Sequence, residues 1–157
     1  MHANLIMVKD VITCRSDQTV AEAIEFLNTK TFRIIPIVDD DNHILGAVNT
    51  LTLLTHIVPE YIVNGYLQSV PFAPDIGLLR KHYREILQKS ITEVMDVNPT
   101  VVREDESLLS VTAAMVTHDR FEYVLVVDAE QRLSGIISSS DILRAMDKFI
   151  PEKAFDA

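Results

Sequence analysis

The 157-residue chain has no tryptophan, one cysteine and only four glycines, and its 14 Lys and Arg are outnumbered by 23 acids. Each shortage excludes something. The lone thiol, Cys14, can neither close a disulfide within the chain nor assemble a cysteine metal cluster, and its apolar surroundings make it a small buried hydrophobe. A formal charge of -9 repels a phosphate backbone unless basic residues gather on one surface. Arg80, Lys81, Arg84 and Lys89 come nearest to doing so, but Glu85 is interleaved with them, and nucleic-acid binding is not expected. No apolar run approaches the roughly 18 residues that cross a bilayer. The opening MHANLIMVKD also lacks the charged-then-apolar layout of a secretory signal, so the expectation is a cytoplasmic protein without membrane insertion.

The usual catalytic and metal-binding constellations are missing as well. His2, His43, His56, His82 and His118 are scattered over termini, a turn and helices with no pair at metal-ligand spacing, and no metal is expected. Asp39-Asp40-Asp41-Asn42 lacks the ligand periodicity and terminal Glu of a calcium loop and reads as a polar hairpin turn. Ser138, Ser139 and Ser140 have no nucleophile elbow around them, which argues against a hydrolase.

What is present is a 48% hydrophobic composition, sufficient for a real core, arranged as an internal repeat. Residues 3 to 57 match 91 to 146 in pattern. Each copy opens on a short segment ending in Met (NLIM at 4 to 7, TEVM at 92 to 95), followed by an extended run, VITC at 11 to 14 and PTVV at 99 to 102. Next comes an apolar helix face, on which Val20, Ala23, Ile24 and Leu27 recur as Leu108, Val111, Thr112 and Met115. Thr19 with Glu22 spells a capping box, and Ser107 can cap its own helix. RIIPIVDDDNHILGAV (33 to 48) and EYVLVVDAEQRLSGII (122 to 137) read as hairpins, and a second helix starts at Asn49 and at Ser138.

One unit is therefore strand, helix, strand, strand, helix. A strand–helix–strand run favours parallel pairing, and the hairpin adds an antiparallel partner. The fold class expected is α/β (α+β): two repeats, each a small mixed three-stranded sheet with two helices, and a helical insertion between them. The boundaries are 1–57 for repeat 1, 58–90 for the insertion, 91–149 for repeat 2 and 150–157 for a C-terminal tail. Within the insertion, Asp75 to Lys89 reads as an amphipathic helix that packs locally, and PEYIVNGYLQSV as a weaker helix interrupted at Gly65.

Gly135-Ile136-Ile137-Ser138-Ser139-Ser140-Asp141-Ile142-Leu143 resembles the closing motif of the cystathionine-β-synthase (CBS) domain. Ile37-Val38-Asp39 and Val126-Val127-Asp128 resemble the family's strand and acidic turn at the matching distance in both copies. The resemblance implies a tandem CBS pair, or Bateman module. Such a module is non-catalytic, forms homodimers and binds AMP, ADP, ATP, S-adenosylmethionine or cyclic di-adenosine monophosphate between its repeats. It signals to an output protein such as a transporter, channel or enzyme; the alternative is a ligand-independent dimerisation scaffold.

Residue chemistry allows Ser138 and Asp141 two roles. They can close a helix cap, or Asp141 can accept from both hydroxyls of a ribose while Ser138 meets other polar groups of the ligand. By resemblance, the ligand site also draws on Ile136, Ser140, Met7, Ile12, Phe32 and Arg33, with Arg144 a turn beyond Asp141. Glu122 stands where the family often faces a ligand phosphate, and a carboxylate there disfavours a highly charged ligand. In repeat 1, Asn49 can cap its helix, but Thr52 replaces the motif Asp, so a second site formed by Asn49, Thr52 and Thr100 is expected to be weak or empty.

Overall fold

The computed structural model describes residues 1–29, 33–64, 76–117 and 122–149. They form two compact units. One unit contains the described residues of Ile12–Asp40 and Leu45–Asn98; the other contains Met1–Val11, Asp41–Ile44 and the described residues from Pro99 onward.

Repeat 1 supplies β1 (Cys14–Arg15), α1 (Val20–Thr29), β2 (Ile34–Val38), β3 (Ile44–Asn49) and α2 (Thr50–Ile57). The sheet order is β1-β2-β3, and β1 runs parallel to β2 with Cys14 opposite Ile37. The expected cap starts α1: the Thr19 amide donates to Glu22 Oε2 at 2.9 Å, and the Glu22 amide donates to Thr19 Oγ1 at 3.4 Å. Val20 and Ala23 are buried in a core with Cys14, Ile35, Ile37, Val48 and Leu53, while Ile24 and Leu27 pack at its border. Burial, with the charge of Glu22 adding to it, pushes the Cys14 thiol up to about 11.

Repeat 2 supplies β4 (Val101–Arg103), α5 (Leu108–Thr117), β5 (Tyr123–Val127), β6 (Leu133–Ser138) and α6 (Ser139–Asp147). The same topology recurs, with β4 parallel and β6 antiparallel to β5. The Ser110 amide donates to Ser107 Oγ at 3.1 Å, the expected cap of α5. Asn42 and Gln131 hold matching hairpin positions, and each has φ of 65°, so the likeness of the repeats extends to their left-handed turn residues. The extended runs are shorter than their sequence suggests. The stretch from Val11 pairs only from Cys14, because the Val11 amide closes a turn onto Lys9 O at 3.1 Å, and the run at 99 to 102 pairs over Val101–Arg103.

The insertion contains α3 (Glu60–Val63), in the first part of the weak helix expected over 59–70, and α4 (Ile76–Leu87); residues 65–75, Gly65 and the rest of that expected helix included, lie outside the described residues. The amphipathic helix ends at Leu87, two residues early. Its last turn is closed by Lys89 N donating to Ile86 O at 3.1 Å, and Lys89 O is then taken by the Val20 amide at 3.0 Å, which draws the chain off the helix axis. Helix α4 packs on α1 and α2 through buried Ile86, and His82 Nδ1 meets Ile57 O at 2.9 Å.

The segments that open each repeat in sequence join the other repeat's sheet. Ala3 N donates to Glu106 O at 2.9 Å, and Val8 pairs antiparallel with Ile136 of β6 through hydrogen bonds of 2.8 and 3.0 Å. In the other unit, Ile91–Glu93 forms a turn capped by Ser90, and Asp96 pairs with Ala47 of β3 at 2.8 and 2.9 Å. Gly46 and Gly135 permit these approaches. A Cβ at Gly135 would stand 2.8 Å from Val8 O, and one at Gly46 would stand 2.6 Å from Asp96 O.

Candidate functional site

Strand β6 delivers the motif of repeat 2 to a corner at the start of α6. Ile136 and Ile137 alternate across the buried middle of the strand and fix its position, so Ser138, the last paired residue, stands where the chain leaves the sheet. Ser138 is the N-cap of α6, with φ of -96° and ψ of 163°. The Asp141 amide donates to Ser138 Oγ at 3.2 Å, while the amide and hydroxyl of Ser138 donate to Asp141 Oδ2 at 2.8 and 2.7 Å. The Ser139 amide is taken by the backbone carbonyl of Glu122 at 2.9 Å. These bonds satisfy helix-start amides that would otherwise be unpaired, and the carboxylate suits the positive end of the helix.

The cap leaves the carboxylate half used. Oδ2 takes two donors, whereas Oδ1 meets only the guanidinium of Arg144 at 3.5 Å, among the interactions of the described residues. The Asp141 side chain is 14% exposed and that of Arg144 72%. Asp141 and Arg144 line a hollow of about 240 Å³ with Met1, Leu5, Ile6 and Lys148. Such a corner offers one open anionic acceptor, two cations and an apolar wall.

The expected site residues separate into groups. Ile136, Ser138, Ser140, Asp141, Arg144, Glu122, Met7 and Thr100 belong to one unit. Met7 is placed by its approach to Gly135, Ser140 is exposed on the first turn of α6, and the Glu122 side chain is exposed beyond its carbonyl. Thr100 is 9% exposed and lends its carbonyl to the Leu125 amide at 2.9 Å. Ile12, Arg33, Asn49 and Thr52 belong to the other unit, where Ile12 is half-buried and Arg33 exposed; Phe32 lies outside the described residues. Sequence reasoning did not single out Val8, Lys148 or the 1–6 wall. The recurring opening Met and strand glycine were visible in the sequence, but their approach across the repeats, which seats Val8, was not.

The corresponding corner of repeat 1 reverses the polarity of the pair. Asn49 Oδ1 accepts from the Thr52 amide at 2.7 Å and from the Thr52 hydroxyl at 2.9 Å. Between the two side chains, the cap residue donates to the third residue of the helix in repeat 2, whereas the third residue donates to the cap in repeat 1. Asn49 therefore caps α2 as expected, and no carboxylate faces outward there.

Two mixed three-stranded sheets, each closed by a capped helix after a glycine-bearing strand, are the architecture that the motif implied. The family model of the CBS domain matches residues 3–59 and 91–148. The chain belongs to the CBS-domain family. Among curated relatives, this CBS pair is 28% identical over 142 residues to an inosine-5'-monophosphate dehydrogenase of Methanocaldococcus jannaschii, covering 90% of this chain and 23% of that enzyme. It is 27% identical over 134 residues to the chloroplastic CBS domain-containing protein CBSX2 of Arabidopsis thaliana, covering 81% of this chain and 55% of CBSX2. The chain thus spans about a quarter of the first relative and about half of the second. Its fold is shared with CBSX2 solved in complex with AMP, at a TM-score of 0.70 and 21% identity over 94% of this chain and 96% of that one. It is also shared with the cytosolic domain of the Mg2+ channel MgtE in complex with ATP, at a TM-score of 0.65 and 23% identity over 92% and 48%. No helix among the described residues is long and apolar enough to cross a membrane.

Proposed function

We propose that this CBS pair is a non-catalytic regulatory module that binds an adenine nucleotide or related adenosyl ligand at the β6–α6 corner and signals its occupancy to a partner protein. The observation that carries this reading is the half-used carboxylate of Asp141. A helix cap needs one oxygen, and Oδ2 serves it; Oδ1 remains, held by a long contact to an exposed arginine that a ligand can displace. A ribose diol needs such an acceptor. CBSX2 with AMP and the MgtE domain with ATP make adenine nucleotides the first ligands to test. An enzyme and a channel stand among the similar proteins, which supports an output partner that is an enzyme, channel or transporter in a cytoplasmic setting. Signalling follows if the ligand binds one conformation better than another, since only differential affinity shifts an equilibrium.

The test is a thermal-shift series with AMP, ADP, ATP, S-adenosylmethionine and cyclic di-adenosine monophosphate on the wild type and on Asp141→Asn. The amide retains an oxygen for Ser138 and removes the charge, so the fold survives. A ligand at 100 times its Kd stabilises the wild type by about 2.7 kcal/mol through linkage. The wild type should respond to at least one adenosyl ligand and the variant should lose that response. An equal response of both proteins, or silence of the wild type to the whole series in calorimetry, rejects the site. Titration should also give one strong site per chain, because the Asn49–Thr52 corner offers no carboxylate.

A further inference from the structure

Helix α4 lies between the two stretches matched as CBS domains, 3–59 and 91–148, so its surface is not part of the repeated unit. The helix is firmly seated through buried Ile86 and through His82, yet its contact with α1 and α2 is not closed. A hollow of about 240 Å³ remains, lined by Ile24 and Leu27 of α1, Leu54 and Ile57 of α2, and Tyr83 of α4. Leu54 is 51% exposed and Tyr83 39%, so both stand at its lip, and Leu79, one turn before Tyr83, is 41% exposed. Beside this apolar lip the charge is positive. Three residues separate Arg80 from Tyr83, about 60° around the helix, and Arg84 follows on the same flank. Lys81 and Glu85, two residues either side of Tyr83, fall about 160° away from it. Arg15, Arg103, Arg132 and Arg144 each meet a carboxylate of their own chain. Arg80 and Arg84 meet none among the described residues, on a chain whose net charge is -9. The nearest acids lie on α1: Glu22 is held in the Thr19 cap, and Glu25 sits about 100° around that helix from Ile24.

We propose that this hollow and its arginine rim dock an acidic amphipathic segment of another protein, which sets a bulky apolar side chain in the hollow and its carboxylates on Arg80 and Arg84. The docking stands apart from the ligand reading and needs no nucleotide. Size and charge select the occupant. The hollow is smaller than the roughly 300–1,000 Å³ of a small-molecule site, and it suits the anchor side chain of a helix laid in a groove. Two guanidinium groups without internal partners favour carboxylates, which they can grip through paired hydrogen bonds. A lipid surface is flat and cannot enter the concavity, and an anionic one repels a chain of this net charge. A second copy is disfavoured as well, because a two-fold contact at this place sets Arg80 and Arg84 of one copy against the same residues of the other.

The experiment selects a phage-displayed library of random helix-length peptides on the full chain without nucleotide, and titrates the enriched peptides by fluorescence anisotropy. Variants are Arg80→Glu at the rim, Leu54→Glu at the lip, and Lys81→Glu as a control that makes the same charge change on the opposite flank of α4. Far-UV circular dichroism and melting establish that each is folded, and Arg80→Glu alone suffices if Leu54→Glu is not. The expected peptides are acidic, carry Leu, Phe or Trp at helical spacing, and lose affinity as salt rises. Arg80→Glu should weaken them at least fivefold and Leu54→Glu at least tenfold, whereas Lys81→Glu should change affinity less than twofold. Failure to enrich acidic peptides, or an equal response of Arg80→Glu and Lys81→Glu, would overturn the proposal. So would Arg80-dependent binding to phosphatidylserine vesicles in place of peptides, or a wild-type dimer in sedimentation velocity that Leu54→Glu dissociates, since a membrane or a second copy would then be the occupant.

Discussion

Replacing Gly135 with Ala adds one methyl group to β6 and tests how the N-terminal segment is held. In a strand such a change ordinarily stabilises a protein by about 0.4–1 kcal/mol, because alanine has fewer unfolded conformations to lose. Here the new Cβ would stand 2.8 Å from Val8 O and 2.9 Å from Cγ and Sδ of Met7. The methionine can swing aside. The carbonyl cannot, since Val8 is tied to Ile136 by backbone hydrogen bonds of 2.8 and 3.0 Å. Relief requires the segment to lift, which forfeits two hydrogen bonds of ~1 kcal/mol each. If the segment stays instead, overpacking in the buried strand costs ~1–3 kcal/mol. The net expectation, after the unfolded-state gain is subtracted, is a loss of about 1–2 kcal/mol in urea unfolding, with the Val8 and Ile136 amides losing hydrogen-exchange protection before the amides of β5. Gly46→Ala should behave alike in the other unit, where the approach to Asp96 O is 2.6 Å. A Gly135→Ala protein as stable as the wild type, with Val8 and Ile136 still protected, would refute the packing argument.

Asn49→Ala removes the acceptor of both the Thr52 amide and the Thr52 hydroxyl and should cost about 1–2 kcal/mol in urea unfolding, with Asn49→Ser recovering most of it. Cys14, with its thiol raised to about 11, should be silent to a thiol reagent at pH 8 in the folded protein and react once denaturant is added. The linked stability runs downward in alkali: the unfolded thiol ionises near its ordinary value of 9.0, the folded one does not, and stability should decline as pH rises from there towards about 11. Asp128 has the opposite sign. Amide hydrogen bonds from Arg132 and Glu130, with the Arg132 guanidinium beside them, hold its carboxyl below the ordinary value, so its contribution is present above the unfolded carboxylate pKa and lost as pH falls through the folded one. Wild type and Asp128→Asn should therefore differ in unfolding free energy at pH 7 and converge in acid.

Much of this architecture was legible locally. Val20, Ala23, Ile24 and Leu27 recur at the helix period, and α1 buries that face; Thr19, Ser107, Asn49 and Ser138 are cap residues, and each caps the helix it precedes. Periodicity and capping are decided within a few residues, so sequence alone displays them. The end of α4 was not legible in this way, because Lys89 leaves the helix to give its carbonyl to Val20, a residue remote in sequence. The length of β1 depends likewise on which residues find a partner on β2.

The candidate site divides along the same line. Sequence placed Ser138 and Asp141 at one helix start, and showed that Thr52 breaks the likeness in repeat 1, because those are questions of residue identity at fixed spacing. It could not determine how the bonds are shared. The assignment of Oδ2 to the cap and Oδ1 to Arg144, the reversed donor in the Asn49–Thr52 pair, and the wall of Met1, Leu5 and Ile6 beside Asp141 depend on side-chain directions and on the seating of residues 1–11 against β6. Sequence by itself determined the two repeated units, their helix starts and the unequal motifs, since each is written in neighbouring residues. Tertiary structure decided which sheet each opening segment joins and which oxygen of Asp141 remains open, because both are settled by contacts between residues far apart in the chain.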